Sequence, residues 1–304
     1  MTATAQASPE FSMSTKGEKA FSSSRLCPIK HDFHRHPLMQ IEQLEALAKR
    51  LAPSKQCRFI SPNLTATSAF DHNPESHDGR DIEQVFKEIE TPGSWVALYD
   101  IQTDPVYNEF LAEVMHTARH LVGSEEKIRD IRGFIFVSAP PSVTPFHIDR
   151  ENNFWLQIKG RKTINVWDRT DRDVVAAKDV ERFILYRSLD NVKLDERLVD
   201  RSHEFDSVAG DGVYMPSTTP HMTRSDAASH PDDKVTISVA ICFYTDTTRR
   251  TAYVHAVNGL LRRLGLNPRS PEQDAVRDRI KHLLGRVFIF WKKLAGGYVP
   301  PPSF

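Results

Sequence analysis

The chain has 304 residues, 39% of them hydrophobic, with 40 Lys+Arg balanced by 40 Asp+Glu. That length holds one large domain or two smaller ones, and the balanced charge offers no global field for nucleic acid. No apolar run approaches the roughly 18 residues of a membrane helix, the opening MTATAQASPEFSMSTKGEKAFSSS lacks the apolar core of a secretory signal, and three cysteines without metal-type spacing (Cys27, Cys57, Cys242) suit a reducing compartment, the cytoplasm.

In chain order, residues 1–30 read as a polar, disordered tail. Over 36–52, Leu38, Ile41, Leu44, Leu47 and Leu51 recur at helical spacing. Residues 53–80 read as loop, 81–90 as a short helix ending before Pro92-Gly93, and 94–101 as a strand. A longer helix is expected over 104–123: Asp104 caps it, Pro105 takes its first position and Gly123 closes it. Residues 31–130 thus form a largely helical segment. The pattern then turns to strands at 133–139, 153–160, 162–168, 202–209, 212–217 and 234–245. Helices followed by a run of strands predict an antiparallel β core over 131–248, with helices packed on it. Residues 249–304 return to helix, and the last helical stretch ends in Gly296-Gly297.

One constellation carries chemistry. A non-haem Fe(II) site needs two neutral imidazoles and one carboxylate, with the remaining positions open. In VTPFHIDRENNFWLQIKGRKTINVWD, His147 and Asp149 stand two apart, so a strand or turn end puts both on one side. His221, after Pro220 in AGDGVYMPSTTPHMTRS, supplies the third ligand from elsewhere in the sheet. A second His-x-Asp, His230-Pro231-Asp232, lies in a polar stretch without strand character and serves as a control. Alternation places Lys162 with Ile164 and Val166 on one strand face. A lysine on such a face is costly unless an anion meets it. The far carboxylate of 2-oxoglutarate is such an anion, and Thr144 could add a hydroxyl there. Asn153 shares a strand face with Trp155 and could bond the carboxylate that sits beside the metal.

These motifs together resemble the JmjC-type (cupin-like) Fe(II)/2-oxoglutarate oxygenases, in their hydroxylase branch, which includes the hypoxia-factor asparaginyl hydroxylase. The family pattern falls on Thr144, His147, Asp149, Asn153, Phe154, Gln157, Gly160, Lys162, Gly210, Asp211, Pro216 and His221. The resemblance covers about 131–245 and implies a double-stranded β-helix (jelly-roll, cupin) core with flanking helices. It implies iron on His147, Asp149 and His221, and 2-oxoglutarate on Lys162 and Thr144. In some relatives an asparagine on a late strand also touches 2-oxoglutarate; here Thr236 or Ser238 would take that role. The implied reaction is C–H hydroxylation, or demethylation by way of a hydroxymethyl group, with succinate and CO2 as co-products. Asp149 favours this over halogenation, since related halogenases lack that carboxylate. The substrate could be a protein side chain, an amino acid or a natural-product intermediate. The alternative is a non-catalytic cupin-like module that senses a metal or small ligand.

Three other features stand apart from this constellation. His31, His34 and His36 flank the tail, and His116 and His120 lie four apart on a helix face expected to be exposed. Residues 249–304 carry 11 Lys/Arg against 3 Asp/Glu, with bulky apolar residues in GRVFIFWKKLAGG. Packing or homodimerisation through the C-terminal helices is the plainest use of that segment, ahead of a membrane-surface role.

Overall fold

The computed structural model describes residues 11–17, 20–60, 66–67, 79–123, 125–226 and 234–304. Its strands are β1 (Met13–Thr15), β2 (Cys27–His31), β3 (Cys57–Ile60), β4 (Trp95–Leu98), β5 (Arg129–Ser138), β6 (Ser142–His147), β7 (Asn152–Lys159), β8 (Lys162–Val166), β9 (His203–Ser207), β10 (Asp211–Met215), β11 (His221–Ser225) and β12 (Thr236–Tyr244). Its helices are α1 (Ile41–Leu51), α2 (Ile82–Lys87), α3 (Pro105–Thr117), α4 (Arg119–Val122), α5 (Ala177–Tyr186), α6 (Asp246–Arg263) and α7 (Ala275–Leu294).

From β5 onward the pairing is nested. β5 pairs with β12, β6 with β11, β7 with β10 and β8 with β9, all antiparallel. The strands distribute over two sheets, ordered β1-β2-β10-β7-β12-β5-β4-β3 and β6-β11-β8-β9. Nested pairing over two facing sheets is the jelly roll, or double-stranded β-helix. β3 and β4 extend the larger sheet beyond β5, and β1 and β2 extend it beyond β10.

Period-two alternation sorts the larger sheet into two faces. Ile135 and Val137, Phe154, Leu156 and Ile158, and Ile237, Val239, Ile241 and Phe243 point to one core, which Leu44, Leu47, Phe110 and Val114 of α1 and α3 complete. Burying each such side chain contributes about 1.5–3 kcal/mol. The alternate residues, among them Ser138, Asn153, Trp155, Ser238 and Cys242, face the interior of the roll. α5 and α6 cover the smaller sheet: Val180, Phe183, Ala252 and Ala256 pack with Phe146, Ile148 and Trp167.

Several expectations change. Residues 11–17 and 20–30 are not a loose tail, because they carry β1 and β2. Met13, Cys27 and Ile29 are buried, and Lys16 and Lys30 both reach the Asp211 carboxylate, at 3.0 and 2.7 Å. Two strands this short leave only a brief alternation within a polar stretch; residues 1–10 lie outside the described residues. The expected loop over 53–80 contains β3, while 61–65 and 68–78 are outside the described residues. Asp104 does cap α3, its Oδ1 accepting from the Val106 and Tyr107 amides at 3.1 and 3.3 Å. The helix breaks at Ala118, however, into α3 and α4. α5 lies in a stretch for which no element was expected.

Candidate metal centre

The nested pairing brings the two histidines together. His147 ends β6, His221 begins β11, and they are direct register partners with ring centroids 4.2 Å apart. Asp149 lies just past the end of β6, and its Oδ2 is 3.7 Å from His221 Nε2. One ligand atom from each of the three falls within 4.8 Å of the others, and among the described residues this is the only such set. Both histidines are buried, and the Asp149 side chain is 24% exposed.

The ring nitrogens have distinct jobs. His147 Nδ1 lies 2.7 Å from the Pro145 carbonyl, and His221 Nδ1 lies 3.0 Å from the Thr219 carbonyl. A carbonyl only accepts, so each Nδ1 carries the proton and each Nε2 keeps its lone pair. Two imidazole nitrogens and one carboxylate oxygen on one side of a cavity suit a first-row divalent ion, with positions left for other ligands.

The turn holding Asp149 is fixed from two sides. The Thr218 amide donates to the Asp149 carbonyl at 2.7 Å, and Ser217 Oγ donates to the Arg150 carbonyl at 2.8 Å. Thr218 holds φ at +64°, a left-handed conformation that is costly for a β-branched residue. On the other side, the buried Arg150 guanidinium donates to Ser303 Oγ at 3.0 Å and to the Pro301 carbonyl at 3.1 Å. Segment 300–304 therefore braces the residue adjacent to a metal-ligand candidate.

Thr144, Asn153, Trp155 and Ser238 line the same cavity as the triad, which holds about 970 Å³ of atom-free space including its open mouth. Asn153 Nδ2 donates to Asp149 Oδ2 at 3.4 Å, while its buried Oδ1 has no partner. Trp95 of β4, Tyr99 just past its end, and Phe134 and Phe136 of β5 form an aromatic wall, with Arg58 at its edge. Asp149 is the one carboxylate among the lining residues.

Lys162 lies deeper. It is 3% exposed, and burial pushes its ammonium down to about 8. Its Nζ donates to Ser138 Oγ at 3.4 Å, and no carboxylate pairs with it among the described residues. Ser138 Oγ is 2.9 Å from Ser142 Oγ and 3.0 Å from Thr236 Oγ1, and Ser142 Oγ is 2.7 Å from Ser225 Oγ. Thr236 thus belongs to a buried chain of hydroxyls beside Lys162, running Thr236–Ser138–Ser142–Ser225, while Ser238 lines the cavity itself.

Ser138, Ser142 and Ser225 of this hydroxyl chain are not among the residues the sequence motifs single out. Alternation along 133–139 would have put Ser138 on the face of Phe134 and Phe136, but nothing local points to Ser142 or Ser225. The Arg150–Ser303 brace had no sequence signal. The histidines near the N-terminus do not assemble a metal set. His31 is buried in β2, its Nε2 is 3.1 Å from the Asp211 carbonyl, and burial pushes it down to about 4. His116 and His120 are exposed on the helix surface. The control pair, His230 and Asp232, lies outside the described residues.

Fold and site together define a jelly-roll protein with a two-histidine, one-carboxylate constellation in its interior. No family model matches the sequence, and no curated protein does. Among solved structures, the chain is similar to YcfD of Escherichia coli, with 16% identity over 88% of this chain and 65% of that one, at a TM-score of 0.46. YcfD described as a ribosomal oxygenase in complex with cobalt and 2-oxoglutarate gives 17% identity over 88% and 64%, also at 0.46. The non-heme alpha-ketoglutarate-dependent epimerase SnoN gives 11% identity over 67% and 72%, at 0.37. The chain spans just under two thirds of the length of the YcfD chains. With TM-scores below 0.5, these likenesses lend no weight to any assignment of chemistry, which rests on the side chains of this chain.

Proposed function

We propose that the protein is an Fe(II)- and 2-oxoglutarate-dependent oxygenase that hydroxylates a C–H bond of a protein side chain, an amino acid or a small natural product. The observation that carries this reading is the pairing of an open His-Asp-His set with Lys162, a buried ammonium that donates to the Ser138 hydroxyl. A buried cation of this kind is relieved by an anion delivered to it. A dicarboxylate with a 2-oxo group meets both ends, chelating the metal at one and reaching the ammonium at the other.

His147, Asp149 and His221 hold the metal, and the Pro145 and Thr219 carbonyls keep the imidazoles in the ligating tautomer. Asn153 steadies Asp149 and offers its unpaired oxygen, or by amide rotation its NH2, to a ligand beside the metal. Lys162 and the Ser138–Thr236 hydroxyls orient the far carboxylate, and Thr144 lines the path between. The aromatic wall of β4 and β5 excludes water. When bound, iron and 2-oxoglutarate supply oxygen activation coupled to decarboxylation to succinate and CO2. The three cysteines are free and buried, in keeping with a reducing compartment such as the cytoplasm. No helix among the described residues is long and apolar enough to cross a membrane.

Anaerobic titration tests the assignment. Adding Fe(II) and then 2-oxoglutarate should produce the weak visible band of the chelate, and admitting O2 should release succinate. A protein that binds the metal but neither forms the band nor consumes 2-oxoglutarate would be a metal-sensing cupin-like module instead.

A further inference from the structure

A second polar cluster lies where α5, α6 and α7 meet the loop 267–272, and none of its side chains lines the metal cavity. His255, Asn258 and Arg262 are spaced three and four apart on α6, so they share one face of that helix. The loop is tied down beside them. Asn258 Nδ2 and Lys281 Nζ both donate to the Arg269 carbonyl, at 2.9 and 3.3 Å. Arg262 donates to the Pro268 carbonyl at 3.1 Å. Arg172, from the stretch between β8 and α5, donates through Nε to Ser270 Oγ at 3.3 Å.

Three buried atoms of this cluster have no hydrogen-bond partner: Arg172 Nη1, His255 Nδ1 and Asn258 Oδ1. Asn258 is 0% exposed and His255 5%. Turning the Asn258 amide over would set its oxygen against the Arg269 carbonyl, so Oδ1 stays an acceptor in need of a donor. Arg172 Nη1 only donates, and the His255 nitrogen does either according to its tautomer. Leaving such atoms unpaired is costly, so three in one place mark a position for a polar guest.

The surrounding charges choose the guest. Glu181 and Glu272 are already taken: Arg262 Nε reaches both Glu181 oxygens, at 3.0 and 2.9 Å, and Arg169 pairs with Glu272. The Glu272 amide in turn donates to Asp278 Oδ2 at 2.6 Å. Neither Arg172 nor Lys281 is hydrogen-bonded to a carboxylate among the described residues. Burial, then the charges of Arg172, Arg169, Lys281 and Arg262, push His255 down to about 3, so its ring is neutral. A water would satisfy the three orphaned atoms but leave two cations unmatched. Sulfate would meet the cations but set an oxygen against Asn258 Oδ1. Hydrogen phosphate keeps a hydroxyl that donates to that oxygen while its other oxygens accept. Glu181 and Arg262 also line an open groove between α5 and α6, edged by Lys178, Arg182 and Arg263, which gives an anion a cationic way in.

We propose that this cluster is a binding site for inorganic hydrogen phosphate. Arg172, Lys281 and His255 donate to the anion, and Asn258 Oδ1 takes its hydroxyl. Titrating the full chain with sodium phosphate at constant ionic strength should give saturable heat in calorimetry and a Tm that rises and levels off. Sodium sulfate should bind about 100-fold more weakly, since it offers Asn258 no hydrogen. Arg172→Met should weaken phosphate binding about 100-fold, and Lys281→Met, at a half-exposed position, about 10-fold. Lys281→Met carries the test alone if Arg172→Met does not fold. Lys162→Met should bind phosphate as the wild type does, which separates this site from the metal cavity. No saturable response at tens of millimolar phosphate, the behaviour of a site for water only, would overturn the proposal. So would equal affinity for sulfate, unchanged affinity in Lys281→Met, or loss of binding in Lys162→Met.

Discussion

The interior of the jelly roll and the outward face of α7 depart from the usual partition of side chains in opposite senses. At Lys162 a charge is sealed inside, 3% exposed, with a hydroxyl for company. At Trp291 an indole is turned outward, 63% exposed, on a helix whose polar face is the packed one. Either placement costs the isolated chain stability, and neither is required to close the fold. Under the proposed function, an anion from outside relieves the first. Places where a sequence sacrifices stability of its own are where function is to be sought.

The comparison can be broken at the interior end first. Asp149→Ala removes one of three ligands and should lower 2-oxoglutarate turnover at least about 1,000-fold, with loss of the chelate band in anaerobic spectra. Lys162→Met should act in two directions at once. The 2-oxoglutarate concentration needed for half-saturation should rise about 100-fold in a succinate-release assay. The ligand-free protein should become more stable by roughly 1–3 kcal/mol in urea unfolding, because a desolvated charge is gone. A variant that lost stability as well would show that Lys162 is a structural residue and not a waiting partner for an anion.

The pH dependence sharpens the same point. Burial sets Lys162 to about 8 in the folded chain against an ordinary value of 10.5. Between those values the unfolded chain binds more protons, so stability should climb as pH rises through 8 toward 10.5. The gain is roughly 3 kcal/mol and should be absent in Lys162→Met. Arg150→Met cuts the brace to Ser303 and Pro301 without touching a ligand, and should weaken Fe(II) binding about 10-fold in competition with a chelator. Thr144→Val, which deletes one hydroxyl from the cavity, should raise the 2-oxoglutarate requirement only a few-fold.

Much of the site was legible in the sequence because its signals are local. His147 and Asp149 share a turn, and Lys162 declares itself by standing on a strand face with Ile164 and Val166. His221 was reachable because Gly210, Pro216 and Pro220 punctuate the chain around it. The hydroxyl chain was not legible: Ser138, Ser142, Ser225 and Thr236 meet only through pairings of β5, β6, β11 and β12, and an isolated serine is the least informative residue in a strand. β1 and β2 stayed hidden because three to five residues leave little room for alternation to stand out. The apolar stripe of α7 is written plainly in its helical spacing, but such a stripe does not say which side its own chain occupies. That took the packing of Gly285 against Tyr253.

The nested order of the strands also governs when the centre can come into being. β8 and β9 can meet early, but His147 and His221 become neighbours only when β6 finds β11, with the inner strand pairs enclosed between them. Contacts so distant along the chain form slowly, because the loop they close carries a large entropy cost. Metal cannot template this fold from a local pair of ligands as it does in a zinc finger. The centre is a late product of folding, and competence to bind metal reports that the roll has closed.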